Sequence, residues 1–339
     1  MISASLPPLL VLSAIVFSGE PSPMCEPWEA QYAGRDASGP HVVALWQFAP
    51  GAETADASGH GHTLTFHGAQ PHAAGRFGGA LESSRGWPAE DKRHAAVAKN
   101  HPSLSPQGAF TLEMWIQPKP ELNVDYPQAF LLDKKYVAHD DYQLILEAPD
   151  KQGARVLHAV LGFGDGSSGY FSRPVRFEPG KWYHVAFVYD GAGTGSFFLN
   201  GRPWGSSRVP GRAAISPGRH PLSLGDRIGS YYHGFPGLID QVRISRGALE
   251  FQRVKLARTS DRGCFVRMEK GAAVRLEVRN LQREATAQGA VTISLGGAAT
   301  TQAKIADLGP GKTMEIEYPV DTSLRPDRYA LAVNVNLTG

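Results

Sequence analysis

The sequence predicts an all-β protein built as two sandwiches. Three observations carry this. Short alternating or β-branched runs follow one another along the chain, and glycine and proline (38 and 25 residues) break them at close intervals. Only one short segment has a helical pattern. At 339 residues the chain is too long for one typical sandwich, since domains run to roughly 100–200 residues, so two folded units are expected. The glycines and prolines are scattered, which excludes a collagen-like repeat. A formal net charge of +2, from 34 basic and 32 acidic residues with no Lys/Arg block, gives no reason to expect nucleic acid or an anionic membrane as partner.

Taken in order, residues 1–19 read as a signal peptide. Leu6–Phe17 is apolar, too short to span a bilayer and suited to the core of a secretion signal, with Ser18 as the cleavage point and no Lys or Arg before it. No other segment approaches the ~18 apolar residues of a transmembrane helix. Residues 20–38 form a polar linker, and a secreted, extracytoplasmic product is expected. The two cysteines, Cys25 and Cys264, flank the central block. In an exported protein such a pair is expected to be bridged, tying the domain's ends together.

The first domain is placed at residues 39–260. His41–Phe48 is β-branched and aromatic, and Phe110–Gln117 puts Phe110, Leu112, Met114 and Ile116 on one face at period two. Tyr142–Glu147, Val156–Phe163 and Trp182–Tyr189 continue the pattern. Asn200-Gly201 predicts a type I′ hairpin turn, because both residues accept positive φ. Leu222–Leu224 and Leu238–Ile244 supply further strands, and Ala248–Ala257 is the one helix-like piece. Trp46, Trp115 and Trp182 are expected to fill the space between two sheets. A second unit, residues 263–339, alternates through Gly271–Arg279, Ala290–Leu295, Ala303–Ala306, Thr313–Tyr318 and Tyr329–Val335, with Leu308–Lys312 as a turn. Its strand count fits a small immunoglobulin-like sandwich.

Six segments of the central block, in order, resemble the laminin-G-like, concanavalin A-like lectin/glucanase jelly-roll family. They are Leu45–Phe48, the turn Asp56–His62, Gly75–Leu81, Phe110–Ile116, Trp182–Ala186 with Leu199-Asn200-Gly201, and Phe235–Ile244. The resemblance spans about residues 40–258 and implies a concanavalin A-like jelly roll, a fold common in secreted multidomain proteins. It also implies a structural Ca2+ where the first and last strands meet. Asp56 and Asp240 match the positions carried over, with Gly59 or His60 offering a carbonyl. The sequence departs from the pattern at His60 and His62, and Gln241 stands where the family has an acid. The other reading makes Asp56 a turn cap and pairs Asp240 with an arginine.

Catalytic chemistry is sparse. A jelly-roll hydrolase needs two carboxylates about 5–9 Å apart. The chain offers only Glu315-Ile316-Glu317 in the second unit, read as a solvated edge, while Glu113 stands alone opposite its strand's apolar face. There is no Gly-x-Ser-x-Gly elbow. The glycine runs at 162, 164 and 166 and at 191, 193 and 195 precede no helix, so they read as flexible loops rather than phosphate cradles. His60, His62 and His67 read as turn residues, not metal ligands. Tyr170, Tyr231 and Tyr232 are the candidate ligand-binding aromatics, with Trp87 and Trp204 beside them on Gly-rich loops. The expectation is therefore a non-enzymatic, secreted recognition or adhesion protein for a glycan or an extracellular protein ligand. The alternatives are an accessory module of a carbohydrate-active enzyme or a degenerate glycoside hydrolase, and a structural cell-surface protein.

Overall fold

The computed structural model describes residues 39–338 apart from 88–89, 91, 124–127, 230–232, 283–285 and 297–299, with short strands at Leu9–Val11, Ile15–Val16 and Met24–Pro27. Two compact units result, Gln31–Phe251 and Gln252–Gly339 with Met1–Ala30. The first is a jelly roll of fifteen strands among the described residues: β1 (Val42–Trp46), β2 (Leu64–His67), β3 (Gln70–His72), β4 (Ala80–Ser83), β5 (Ala95–Ala98), β6 (Phe110–Pro118), β7 (Ala129–Asp133), β8 (Tyr142–Leu146), β9 (Leu157–Gly162), β10 (Ser167–Phe171), β11 (Tyr183–Tyr189), β12 (Thr194–Leu199), β13 (Arg202–Arg208), β14 (Leu222–Leu224) and β15 (Gly237–Arg246).

They form an eight-stranded sheet, ordered β13-β12-β11-β6-β15-β4-β3 with β1 also beside β15, and a seven-stranded sheet, ordered β10-β9-β8-β7-β14-β5-β2. β15 changes partner midway. It pairs with β4 through Gly237–Ile239 and with β1 through Val242–Ser245. A bulge between Asp240 and Arg243 separates the halves, with Gln241 in the left-handed region at φ 50°. The predicted hairpin between β12 and β13 has both central residues at positive φ, Asn200 at 49° and Gly201 at 70°.

Period two decides what the sheets bury. Phe110, Leu112, Met114 and Ile116 of β6 and Val185, Phe187 and Tyr189 of β11 meet Leu144, Leu146, Leu157 and Leu161 of the seven-stranded sheet in one core. Each such side chain stabilises the fold by about 1.5–3 kcal/mol relative to exposure. Of the three tryptophans expected between the sheets, only Trp46 lies there, its indole N–H donating to the His62 carbonyl at 2.7 Å. Trp182 precedes β11 and is half-buried. Trp115 is buried on the opposite face of β6, because an odd-numbered neighbour of Met114 and Ile116 must point away from them. There its ring packs on Phe77 and His184, each at 5.4 Å.

That same outward face buries a charge. Glu113 on β6 is flanked in register by β11 and β15. One carboxylate oxygen lies 2.9 Å from His184 Nε2 and the other accepts from the Arg243 Nε–H, with all three side chains buried. Phe251 covers His184 at 4.9 Å.

The second unit has a four-stranded sheet, Ile15–Val16, Leu331–Thr338, Ala287–Leu295 and Thr301–Leu308 in that order. A three-stranded sheet follows the order Val254–Arg258, Ala273–Asn280, Thr313–Pro319. Both line one core that includes Val274, Leu276, Val291, Ile293, Ile305 and Ile316. The segment expected to be helical, Ala248–Ala257, is instead strand at Leu249–Gln252 and Val254–Arg258. Its apolar spacing suits either state. Antiparallel pairing of Val254–Arg258 with Ala273–Asn280, which packs Val254 and Leu256 against the second core, decides for strand. The expected Cys25–Cys264 bridge is also absent: the Cys264 thiol is free and exposed.

Candidate functional site

The outward face of the seven-stranded sheet carries a row that crosses four strands in register: Phe130 on β7, Ile145 on β8, His158 on β9 and Phe171 on β10. Strands lie about 4.8 Å apart, so the row runs roughly 14 Å. At its open end Phe171 is 52% exposed and stacks on the His158 ring at 4.1 Å and 20°. The next residue toward β8 is Glu147, whose Oε1 lies 2.5 Å from His158 Nδ1 and whose Oε2 accepts from the Gln128 amide at 2.7 Å. The His158 hydrogen bond outweighs partial burial and, with Gln128, holds the Glu147 carboxyl below its usual range. Gly169 keeps this face flat, since a Cβ there would lie 2.6 Å from His158 Nε2.

Two loops rise at the other end. The first follows β7. Asp133 is buried, and its Oδ1 accepts from the backbone N–H groups of Lys135 and Tyr136 and from the Gln143 amide, at 2.8–2.9 Å. Its Oδ2 accepts from the Ile228 N–H at 2.9 Å and so reaches the second loop. That loop, after β14, is held by buried Asp226, whose two oxygens accept from His94 N–H at 3.0 Å and Arg227 N–H at 2.7 Å. Burial pushes the Asp226 carboxyl up to about 7.

The anchored loops assemble a cluster. The Arg227 guanidinium lies 5.2 Å from the Tyr136 ring and 5.5 Å from the Phe130 ring. His220 meets Tyr136 edge-on at 6.0 Å, and His233 lies 6.1 Å from Phe130. Tyr136 and His233 both occupy the left-handed region, at φ 53° and 80°. Side chains there cost energy, and such positions concentrate at ligand clamps. Val137, 64% exposed, sits at the first loop's tip.

Among the residues singled out from sequence, Tyr170 is not a surface aromatic. It is fully buried between the sheets, its ring 5.8 Å from Phe187 and 5.9 Å from Tyr189. The alternation of β10 turns its neighbour Phe171 outward instead, and one residue of register exchanges the faces. Tyr231 and Tyr232 lie outside the described residues, between Gly229 and His233 of the second loop. Trp87 is 54% exposed, and Trp204 is half-buried with its N–H on the Arg173 carbonyl at 3.1 Å. Glu315 and Glu317 are exposed, Glu317 pairing with Arg275 at 3.2 Å. His62 and His101 pack at 5.1 Å, and Ser103 Oγ lies 2.9 Å from His62 Nε2.

Asp56 and Asp240, the two residues carried over for Ca2+, each accept from backbone N–H groups. Asp56 Oδ1 accepts from the N–H groups of Leu45 and Ser58, and Oδ2 accepts from that of His62, at 2.9–3.0 Å. Burial opposes its charge, but hydrogen bonds from Ser58, His62 and Leu45 outweigh that and hold the carboxyl below its usual value. This is a turn cap. Asp240 is buried, accepts from the Phe77 N–H at 2.9 Å, and is pushed up to about 7 by burial. Among the described residues no group of three or more His, Cys, Asp or Glu is placed to hold a metal ion. Chelation is accordingly expected to leave the melting temperature unchanged. A fall in EDTA that calcium reverses would restore the site, since a ligand of the native state stabilises it by mass action.

Residues 91–255 match the model of a laminin G family described as the concanavalin A-like lectin/glucanases superfamily. A search of curated proteins returns no match. Among solved structures, the binding domain of paraclostridial mosquitocidal protein 1 is 16% identical, with a TM-score of 0.49 over 62% of this chain and 50% of that one. The chain thus spans half the length of that structure. Domain 4 of AbnA, a GH43 extracellular arabinanase from Geobacillus stearothermophilus in complex with arabinotriose, is 20% identical, with a TM-score of 0.45 over 62% of this chain and 94% of that one. The botulinum neurotoxin serotype G binding domain is 10% identical, with a TM-score of 0.49 over 78% and 79%. Among the described residues no helix is long and apolar enough to cross a membrane.

Proposed function

We propose, from a concanavalin A-like jelly roll across residues 91–255, that this protein is a recognition module that binds a glycan on the outward face of its seven-stranded sheet. One observation carries the reading: exposed Phe171 stacked on His158, beside a Glu147–Gln128 hydrogen-bonding pair. Sugar rings bind through an apolar face stacked on an aromatic and through hydroxyls met by carboxylate and amide groups. This row offers both within one strand spacing. No catalytic role enters the reading: Glu113, the acid nearest the centre of the eight-stranded sheet, is buried and bonded to Arg243 and His184. The apolar Leu6–Phe17 segment supports an extracytoplasmic ligand, although Ile15–Val16 within it pairs with Leu331–Ala332 of the second unit.

Phe171→Ala is expected to weaken binding to a responsive glycan by about ten- to a hundredfold, a typical value for one stacked aromatic anchor. The fold should be unaffected, because the side chain is exposed and leaves no cavity. Isothermal titration against glycans selected from an array checks this. Binding that survives both Phe171→Ala and Glu147→Gln would move the site elsewhere.

A further inference from the structure

We infer that Arg227 reads a carboxylate on the ligand, so that the glycan recognised by this face is an acidic one; the inference rests on the binding role proposed above. The guanidinium is held between the rings of Tyr136 and Phe130. Its Nε is buried without a hydrogen-bond partner, and among the described residues no carboxylate pairs with it. Arg93 Nε is likewise buried without a partner, whereas three other arginines of this unit are engaged through their guanidinium groups. Arg155 donates to the Glu147 and Leu122 carbonyls, Arg212 pairs with Asp165, and Arg243 pairs with Glu113.

The nearest acids, Asp133 and Asp226, point their oxygens at backbone N–H groups of the two loops instead of at the guanidinium. A partly desolvated cation with no counter-charge costs free energy, and a ligand that supplies the charge recovers it. The ring clamp also fixes the plane of the fork, so little rotamer entropy is lost on pairing. A planar fork matches a carboxylate, which it holds by two parallel hydrogen bonds. Left-handed backbone at Tyr136 and His233, one on each side of Arg227, indicates that the clamp is held at an energetic cost.

The test uses the full chain and titrates an oligogalacturonate, its neutral oligogalactose counterpart and a galactose sulfate ester, at low and high salt. The wild type is expected to bind the oligogalacturonate about tenfold more tightly than the neutral sugar, with the margin shrinking as salt rises. Arg227→Gln should erase that margin, bringing the oligogalacturonate to about the affinity of the neutral sugar. Arg227→Lys keeps the charge, guards against misfolding of the glutamine variant, and should recover only part of the margin because an ammonium has no fork. Phe171→Ala should weaken acidic and neutral sugars alike. An acid preference that persists in Arg227→Gln, or a sulfate ester bound as tightly as the carboxylate, overturns the inference. If neither oligosaccharide binds but monomeric galacturonate binds in an Arg227-dependent way, the carboxylate site stands and the glycan reading falls. Absence of binding by every probe overturns both.

Discussion

Replacing Glu113 with glutamine or alanine is expected to destabilise the jelly roll by about 3–5 kcal/mol, because it leaves the buried Arg243 guanidinium without its counter-charge. The same substitution removes the partner of His184, whose ring packs between Trp115 and Phe251 on the covered face. The effect resides in the unpaired charge, not in the pair's own strength. A double variant, Glu113→Leu with Arg243→Met, should therefore recover most of what either single change loses, as buried ion pairs replaced together by apolar side chains often do. Urea unfolding of the four proteins closes the cycle. Single variants within about 1 kcal/mol of wild type would mean that the three side chains do not form a coupled buried network.

The second large expectation concerns pH. Asp226 and Asp240 are buried and pushed up to about 7, against roughly 4 in an unfolded chain. A group raised on folding binds its proton more tightly in the native state. It therefore contributes stability that is complete below the unfolded value and is lost as pH rises through about 7. Stability should rise on going from pH 8 to pH 5, by about 2–3 kcal/mol for each of the two acids. Asp141, also raised by burial, adds with the same sign. His62 and His233, which burial holds low, act the other way, because the stability of a neutral imidazole is lost as pH falls. Since His62 and His233 are only partly buried, the acids dominate the sum. Asp240→Asn should remove its share of the slope, and urea midpoints measured between pH 5 and 8 give the result. A midpoint that falls toward pH 5 would contradict the burial of these two carboxyls as ionisable groups.

Most of the sandwich was legible because side-chain direction in a strand is a local property. Alternation in Phe110–Gln117 assigns Phe110, Leu112, Met114 and Ile116 to one face, and they line the core. The same rule applied one residue further places Trp115 outside that core and Phe171, not Tyr170, at the surface. Size and loop proximity do not decide a strand residue's face, whereas parity along the strand does. Ala248–Ala257 failed for another reason. Ten residues with mixed spacing suit either a helix or a strand, and pairing with the distant Ala273–Asn280 settles it.

Local chemistry thus sufficed for most strands of the sandwich, the turn at Asn200-Gly201 and the inward stripe of Phe110–Ile116, since each depends on neighbours a few residues away. Partners far apart in sequence came only with the folded sheet. Glu113 met Arg243 130 positions on, Arg227 was clamped by Phe130 and Tyr136, and Phe130, Ile145, His158 and Phe171 joined in one row. Register between strands creates these meetings, and register is set by the packing of the whole core.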